Sequence, residues 1–423
     1  MRPRPLATQP APRDTRAMAD PRNAAPQLPS FTRLVLILGT LTAVGALSID
    51  MYLPAFPALE AEFGGRPGTA QATLAAFFLG ISTGQLVQGP LADRFGRRMP
   101  LIAGSVLYTL ATVGCALAPD ATSFSAFRVL AAFGGSAGMV IPRAVVRDIA
   151  EGTAAARMMS RLVLVMGAAP ILAPSLGGLA LAVGNWRLIF WLLAFYGLVC
   201  IVLVWRALPE TLPPARRRHD SPVGIVVTYV AILKDPSYLA PALSACAGFG
   251  GLFAYIAGAS DAFMKLGGLS ESAFAALFGL NASFFIGFAQ VNAWALGRAS
   301  PARLIGWGVA ALGISAAALL AVGLAKVAHP LAIAAPVAGA MAALGFIGPN
   351  GTALALARQG HRAGSASALS GTMTFVFGAA SAAVIGLAAD GTARPMAGAM
   401  AFWSAVAVGA DLWRRRLAKP DSK

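Results

Sequence analysis

The chain has 423 residues, with 33 Lys+Arg against 17 Asp+Glu, 12% charged and 57% hydrophobic residues, whereas a soluble domain carries about 25% charge. That balance excludes an ordinary soluble globular protein. The formal charge of +16 raises nucleic acid as a partner. The basic residues, however, stand singly or in short clusters between apolar runs, the pattern of loop charges that set membrane topology, so no nucleic-acid partner is expected.

Residues 1–30 hold seven prolines and five arginines with almost no large apolar side chain. Such a stretch cannot offset its ordering entropy, which predicts a disordered basic, proline-rich tail. It lacks the apolar core of a signal peptide, and Met18 is a second candidate start. From Phe31 onward, twelve apolar runs long enough to cross a bilayer cover approximately 33–58, 70–92, 99–118, 122–146, 160–182, 187–206, 238–260, 273–296, 302–324, 331–356, 364–388 and 396–413. The longest polar break, 207–237, contains Pro213, Pro214, Arg216, Arg217, Arg218 and His219, and divides the runs six plus six. Within it, Val223 to Lys234 suits either a short helix lying at the membrane surface or a plain linker.

With the N-terminus placed in the cytoplasm, 27 of the 33 Lys+Arg fall on the inside, five (Arg66, Arg187, Lys265, Lys326 and Arg394) fall outside, and Arg128 lies within a span. This asymmetry predicts a multi-pass protein with both termini cytoplasmic. Cys115, Cys200 and Cys246 each sit inside an apolar run without metal-ligand spacing, so they are expected to pack rather than to hold a metal.

An ionisable side chain inside a span is costly and points to function. Asp50 is the only charged residue between Arg33 and Glu60, which places it near the middle of the first span. Arg128 of the fourth span falls at a similar depth. A carboxyl in that setting exchanges a proton as burial and neighbouring cations change, so Asp50 is the candidate proton carrier and Arg128 the group that tunes it. A fixed Asp50–Arg128 ion pair is the structural alternative. Asp261 and Asp411 fall at span ends and are expected at the interface.

Two G-x-S-x-G strings, Gly80–Gly84 and Gly134–Gly138, match a serine-nucleophile pattern. They also match small-xxx-small helix contacts. The histidines His219, His329 and His361 all lie in polar breaks, so no base accompanies either serine and helix packing is expected. No Walker A string is present, and no enzyme activity is expected.

Gly89-Pro90-Leu91-Ala92-Asp93-Arg94-Phe95-Gly96-Arg97-Arg98, followed by Leu101, lies between the second and third runs. Its glycines suit a tight turn, Asp93 suits a helix N-terminus, and the arginines suit the anionic cytoplasmic face. The string resembles the loop signature G-x-L-a-D-r-x-G-r-k-x-x-l of the major facilitator superfamily. Leu47-Ser48-Ile49-Asp50-Met51-Tyr52-Leu53-Pro54-Ala55 is similar to the first helix of Bcr/CflA-type drug:proton antiporters, and Arg128-Val129-Leu130 with Phe133-Gly134-Gly135 to the fourth-helix arginine motif. Ala173-Pro174-Ser175-Leu176-Gly177-Gly178, preceded by Gly167 and Pro170, resembles the fifth-helix antiporter motif, with Ala173 in place of its first glycine. Trp186-Arg187, Gly348-x-Asn350 and Ala363–Ala368 fit the same group, and the resemblance spans about residues 31–415.

The resemblance implies an all-α polytopic membrane protein with 12 transmembrane helices in two six-helix bundles. The expected boundaries are a tail over 1–30, bundles over 31–206 and 238–417, a central cytoplasmic loop over 207–237 and a tail over 418–423. It implies a monomer in a bacterial inner membrane that exchanges protons for lipophilic drugs or antibiotics, or for a physiological metabolite such as an amino acid, peptide or sugar, without a cofactor. Gly89, Asp93, Arg94, Gly96, Arg97 and Arg98 would form a conformational latch, and Gly167, Pro170, Pro174, Gly177 and Gly178 would shape the fifth helix. A wall for bulky apolar substrates is expected from Asp50, Met51, Met166, Phe249, Phe253, Phe285, Met373 and Phe377. Asn281 and Asn350 are costly in lipid and are expected to join it.

Overall fold

The computed structural model describes residues 29–217 and 221–418, and all regular structure among them is helical. The expected N-terminal tail, up to residue 28, and residues 419–423 lie outside the described residues, as does His219. The helices are α1 (Phe31–Asp50), α2 (Phe56–Glu62), α3 (Thr69–Phe95), α4 (Arg98–Leu117), α5 (Ala121–Ile149), α6 (Gly152–Val183), α7 (Trp186–Ala207), α8 (Pro222–Leu233), α9 (Pro236–Ser260), α10 (Glu271–Ala295), α11 (Pro301–Leu324), α12 (Pro330–Leu356), α13 (Ala363–Leu387) and α14 (Arg394–Leu417). With α1 and α2 taken as one span, eleven spans among the described residues are long and apolar enough to cross a membrane. The 32-residue α6, apolar over Ala168–Val183, is the twelfth by its place in the alternation.

Helix starts follow capping signals in the sequence. Asp120 accepts from the amides of Thr122 and Ser123 at 2.9 Å each, and these bonds hold its carboxyl below the usual carboxylate range. Asn185, Ser221, Asp235 and Ser270 cap α7, α8, α9 and α10 in the same way.

The first span is not the single helix expected over 33–58. α1 stops at Asp50, a 3-10 turn covers Leu53–Ala55, and α2 carries the chain on to Glu62. Pro54 and Pro57 have no amide hydrogen to continue the ladder. At the other break of interest, α9 ends at Ser260 and continues as a π-helical turn over Asp261–Leu266.

α1 and α3–α7 pack together as one bundle, and α9–α14 as the other; the bundles meet along α3 against α13 and α6 against α10. By alternation, the start of α1 and the end of α14 share one end of the molecule, called the terminal end below. In the central loop α8 forms the short helix rather than a plain linker. Val223, Val226, Val227 and Val230 leave one side of it exposed, and Tyr229 ties it to α3 by donating to the Leu86 carbonyl at 3.2 Å.

Candidate functional site

Between the bundles lies a cavity of about 1200 Å³ that opens at the terminal end, where Asp93, Arg94, Arg147 and Arg216 line it. Asp50 and Ile49 of α1, Phe249 and Phe253 of α9, and Phe375 of α13 line its deep part. Beyond Asp50 the bundles touch. Phe78 of α3 packs on Phe253 with ring centroids 4.5 Å apart, and Phe253 on Phe375 at 5.2 Å. Aromatic rings thus roof the chamber, and a carboxylate stands at its blind end.

Asp50 is 4% exposed and, among the described residues, has neither a hydrogen bond nor an ion pair. Arg128, 1% exposed, does not pair with it, so the fixed ion pair weighed from the sequence is absent. Its Nη1 donates instead to the carbonyl of Ser48 at 3.0 Å, one of the last carbonyls of α1, which the helix end leaves without a helical partner. A cation is favourable at that negative end of the helix dipole. The guanidinium carbon lies 3.9 Å from the Phe77 ring centroid and 4.9 Å from that of Tyr52, so rings replace part of the lost hydration. Ser48 in turn shares a 2.8 Å hydrogen bond with Tyr108. Among the described residues, Nε and Nη2 of Arg128 have no hydrogen-bond acceptor.

Other expected wall residues do not line the cavity. Met51 is buried beneath α6, and Met373 is half-buried on α13 without reaching the chamber. Phe285 sits behind Phe249, edge-on at 6.1 Å, and Phe377 stacks on Trp403 at 4.5 Å. The two asparagines satisfy each other's kind inside the C-terminal bundle: Asn281 donates to the Tyr255 hydroxyl at 3.2 Å and Asn350 to Asn292 at 2.6 Å. In an apolar bundle a paired amide costs less than an open one, which turned these groups inward. Met166 and Gly167 lie outside the residues whose side chains are described. Conversely, Gln85, Met139, Arg143, Thr374 and Cys246 line the cavity without having been singled out for it; Cys246 was expected only to pack.

The loop motif is built differently from the sequence expectation. Gly89 and Pro90 are inside α3, and the turn is made at Gly96, whose φ of +92° suits glycine. Asp93 is on the last turn of α3 rather than at a helix N-terminus. Arg97, 6% exposed, joins Asp93 at 2.5 Å to Asp148 of α5 at 2.7 Å. The amides of Arg97 and Arg98, orphaned at the start of α4, donate to the carboxylate of Glu210 at 2.8 and 3.2 Å. Arg98 also donates to the Trp205 carbonyl, and Arg94 stays exposed at the cavity mouth. Asp148 and Glu210 were missed; the available signal was two acids on a face otherwise dominated by arginine.

In α6, Pro170 lines the cavity and Pro174 is buried. Gly177 rests directly on the Met51 carbonyl, so a Cβ there would collide with backbone. Gly178, by contrast, has nothing within 4 Å of that position. The substitution Ala173 is fully buried at 0% exposure, and the helix accepts it.

The far end is sealed by charge. Lys265 lies 2.7 Å from Glu60 and 2.8 Å from Asp261, Gln71 donates to Asp261 at 3.1 Å, and the Gly68 amide donates to Glu60 at 3.0 Å. Glu60 and Gln71 belong to one bundle, Asp261 and Lys265 to the other. Asp261 and Asp411, expected at the interface, are only 4% and 2% exposed, because Lys265 compensates the first and Arg414 and Arg415 the second.

Compared with known proteins, the chain matches the family model described as Major Facilitator Superfamily over residues 38–408. It is 35% identical over 376 residues to the uncharacterized MFS-type transporter YdgK of Bacillus subtilis, covering 88% of this chain and 92% of the relative. It is 28% identical over 372 residues to a bicyclomycin resistance protein homolog of Haemophilus influenzae, covering 86% and 91%. A chloramphenicol resistance protein of Pseudomonas aeruginosa is 32% identical over 251 residues, covering 59% of this chain and 58% of that protein. Among solved structures, a bacterial homolog of the human lysosomal transporter Spinster, inward-facing and occupied, superposes with a TM-score of 0.72 at 15% identity over 93% of this chain and 97% of that one. The xylose transporter XylE of E. coli, partially occluded and inward open, gives 0.72 at 13% identity over 93% and 99%.

Proposed function

The chain belongs to the Major Facilitator Superfamily, and from that premise we propose that it exports lipophilic drugs or antibiotics across a bacterial inner membrane in exchange for protons. The observation that carries this is Asp50, a buried carboxyl group with no hydrogen-bond or ion-pair partner among the described residues, at the blind end of an aromatic-walled cavity that opens at one end. The drug-resistance names of the relatives support the substrate side, and the excess of Lys and Arg at the terminal end supports a cytoplasmic placement for that end. The conformation is then inward-open.

In the proposed cycle a drug enters from the cytoplasm and settles against Phe249, Phe253 and ionised Asp50. The bundles rock, the seal at Glu60 and Lys265 parts, and the chamber faces outward. A proton on Asp50 then displaces the drug, and return of the protonated carrier releases that proton inside. Each ligand acts by favouring one state of the carrier, as population shift requires. Arg128 holds the end of α1 that carries Asp50, the Asp93–Arg97–Asp148–Glu210 network steadies the terminal end of the N-terminal bundle, and a single chain completes the path. The proton gradient is the energy source and no cofactor takes part.

The test is a drug-panel proton assay in everted membrane vesicles, comparing wild type with Asp50→Asn at matched expression. Drug-induced dissipation of the pH gradient by wild type alone is expected. Full proton-coupled efflux by the variant would remove Asp50 from the mechanism. A response to amino acids, peptides or sugars but to no drug would replace drug export by metabolite export.

A further inference from the structure

The two G-x-S-x-G strings face one another, and their packing leaves a groove on the outside of the N-terminal bundle. Gly80 and Gly84 of α3 lie directly on the Val129 carbonyl and the Ser136 hydroxyl of α5. A Cβ on Gly104 of α4 would fall 2.7 Å from the Gly134 carbonyl oxygen, and one on Gly134 would fall 2.5 Å from that of Gly104. Small residues thus draw α3 and α4 each onto α5, while α3 and α4 touch one another far less. The space left between them is about 420 Å³. Gln88 and Phe95 of α3 form one wall, Met99, Ala103 and Leu107 of α4 the other, and Phe133 of α5 the base. Gln88 is buried and donates to the Phe133 carbonyl at 3.3 Å; the other side chains named are apolar.

The groove opens outward, since Phe95 is 52% and Met99 63% exposed, and Ala103 is exposed one turn further along α4. Leu110 and Leu117 continue that exposed apolar face. From the turn at Gly96 the walls run inward from Phe95 to Gln88 and from Met99 to Leu107, about 10–12 Å. The hydrocarbon of one leaflet is about 15 Å deep, so the groove follows a lipid tail over most of its leaflet. A cation stands at the outer rim. Of the arginines in the loop string, Arg97 is engaged by Asp93 and Asp148, and Arg98 is turned to the Trp205 carbonyl. Arg94 is exposed, with its guanidinium carbon 5.6 Å from the centroid of the Phe95 ring, and among the described residues it has neither a hydrogen bond nor an ion pair.

We propose that this groove is a site for one anionic phospholipid of the leaflet at the terminal end. One acyl chain lies between α3 and α4 on Phe133, and the head, at the depth of the α3–α4 turn, meets Arg94. A boundary lipid elsewhere touches a single apolar face, whereas this tail is held on three sides. The net negative charge of the head distinguishes it from a zwitterionic lipid with the same chains, because an arginine at the membrane surface attracts the first and gains little from the second. The site requires only that the spans cross a bilayer and is independent of what the central cavity carries.

The test is native mass spectrometry of the purified full-length protein, equilibrated in detergent with equal amounts of palmitoyl-oleoyl phosphatidylglycerol and phosphatidylcholine. One lipid per chain should be retained, with phosphatidylglycerol favoured about fivefold, the worth of one arginine beside an anionic head. Arg94→Gln should bring the two lipids to within about twofold of parity. Ala103→Trp fills the groove and should lower retention of both lipids by about fivefold or more. Leu107→Trp does the same deeper in the groove and replaces it should Ala103→Trp not fold. Ile314→Trp, at a position 73% exposed on α11, should change neither lipid. Unfolding midpoints establish that each variant is folded. Equal retention of the two lipids by wild type overturns the proposal, as does an unchanged preference in Arg94→Gln or full retention by a folded variant with the groove filled. Retention of the lipophilic cation tetraphenylphosphonium in place of lipid, abolished by Ala103→Trp, would assign the groove to drugs and also overturn it. Absence of drug-coupled proton movement in wild-type vesicles strikes the export reading and leaves these outcomes untouched.

Discussion

Lys265 on the π-helical extension of α9 reaches Glu60 on α2 at 2.7 Å, and this contact joins the two bundles at the end opposite the open cavity. The ammonium serves two carboxylates, since Asp261 is 2.8 Å away on its own helix turn. When the chamber opens at that end, Glu60 and Gln71 must part from Lys265 and Asp261. The pair therefore stabilises the conformation described here over its opposite. Lys265→Met should raise the population open at the far end by roughly 5- to 30-fold, on the order of 1–2 kcal/mol; that is below the cost of breaking a fully buried pair because Lys265 is one-third exposed. Nitroxide labels at Arg66 and Ser272, exposed on the two bundles, should report the opening as a longer distance. The charge swap Glu60→Lys with Lys265→Glu keeps two acids and one base in the cluster and should restore the short distance. An unchanged distance in Lys265→Met would show that the aromatic roof alone closes the molecule.

Arg128 gives a second prediction. Its removal would strand the Ser48 carbonyl and open space beside Phe77 and Tyr52. Arg128→Met should cost about 1–3 kcal/mol, the penalty for a buried polar group left unmade, read as a lower unfolding midpoint in detergent. Arg128→Lys retains the charge but not the planar stacking on Phe77, and should fall between wild type and the methionine variant. If lysine restores stability while drug-coupled proton movement stays lost, the fork geometry serves transport beyond holding α1.

These two sites also show which parts of the molecule could be anticipated from the chain. Spans, capping residues and the Gly89–Arg98 string were legible because their information is local: a run of 20 apolar residues, or an Asp two residues before the amide it accepts. Asp50 and Arg128 were legible as charges in the wrong solvent. Their relation was not, because whether Arg128 chose the carboxylate or the Ser48 carbonyl depended on α1 stopping at Asp50, which leaves the Ser48 carbonyl two residues earlier without a helical partner. Lys265 had counted only as an outside charge and Glu60 only as a span boundary; they are 205 residues apart in sequence, and nothing in either neighbourhood names the other. Asn281 and Asn350 were recognised as groups that lipid would not tolerate, yet helix rotation decided that Tyr255 and Asn292, not the cavity, would satisfy them.

Glu210 supplies a third prediction. Its carboxylate accepts the amides of Arg97, Arg98 and Leu212, so a residue of the linker after α7 caps α4. Glu210→Ala leaves two amides at the start of α4 without this acceptor and should destabilise by about 1–2 kcal/mol, whereas Glu210→Gln keeps an acceptor and loses the favourable charge at the helix start, costing about 0.3–1 kcal/mol. Thermal unfolding of both variants beside wild type checks the order.

Asp235 predicts an acid-side effect. The Ser237 hydroxyl at 2.7 Å holds its carboxyl below the usual carboxylate range, with the Ser237 amide and Gln359 adding to it. A carboxyl depressed in the folded state contributes stability that is present above its unfolded value, near pH 4, and is lost as pH falls through the folded value. Asp235→Asn keeps a good cap without the titration. Its unfolding midpoint should match wild type near neutrality and decline less steeply below about pH 4.

The adjacent glycines of α6 should respond oppositely to the same substitution. Gly177 lies on the Met51 carbonyl, and that carbonyl belongs to the break following Asp50, so a methyl group there pushes backbone against backbone. Gly177→Ala should cost about 1–3 kcal/mol, the range for overpacking a tight contact. It should also weaken drug-coupled proton movement, because the displaced segment carries Asp50. Gly178 faces open space, so Gly178→Ala adds helix propensity without a clash and should be neutral or stabilising by up to about 1 kcal/mol. Unfolding midpoints and vesicle proton assays on both variants decide the matter. Equal losses at the two positions would mean that α6 requires flexibility from its glycines; a loss at Gly177 alone would locate the requirement in the contact between α6 and the broken end of α1.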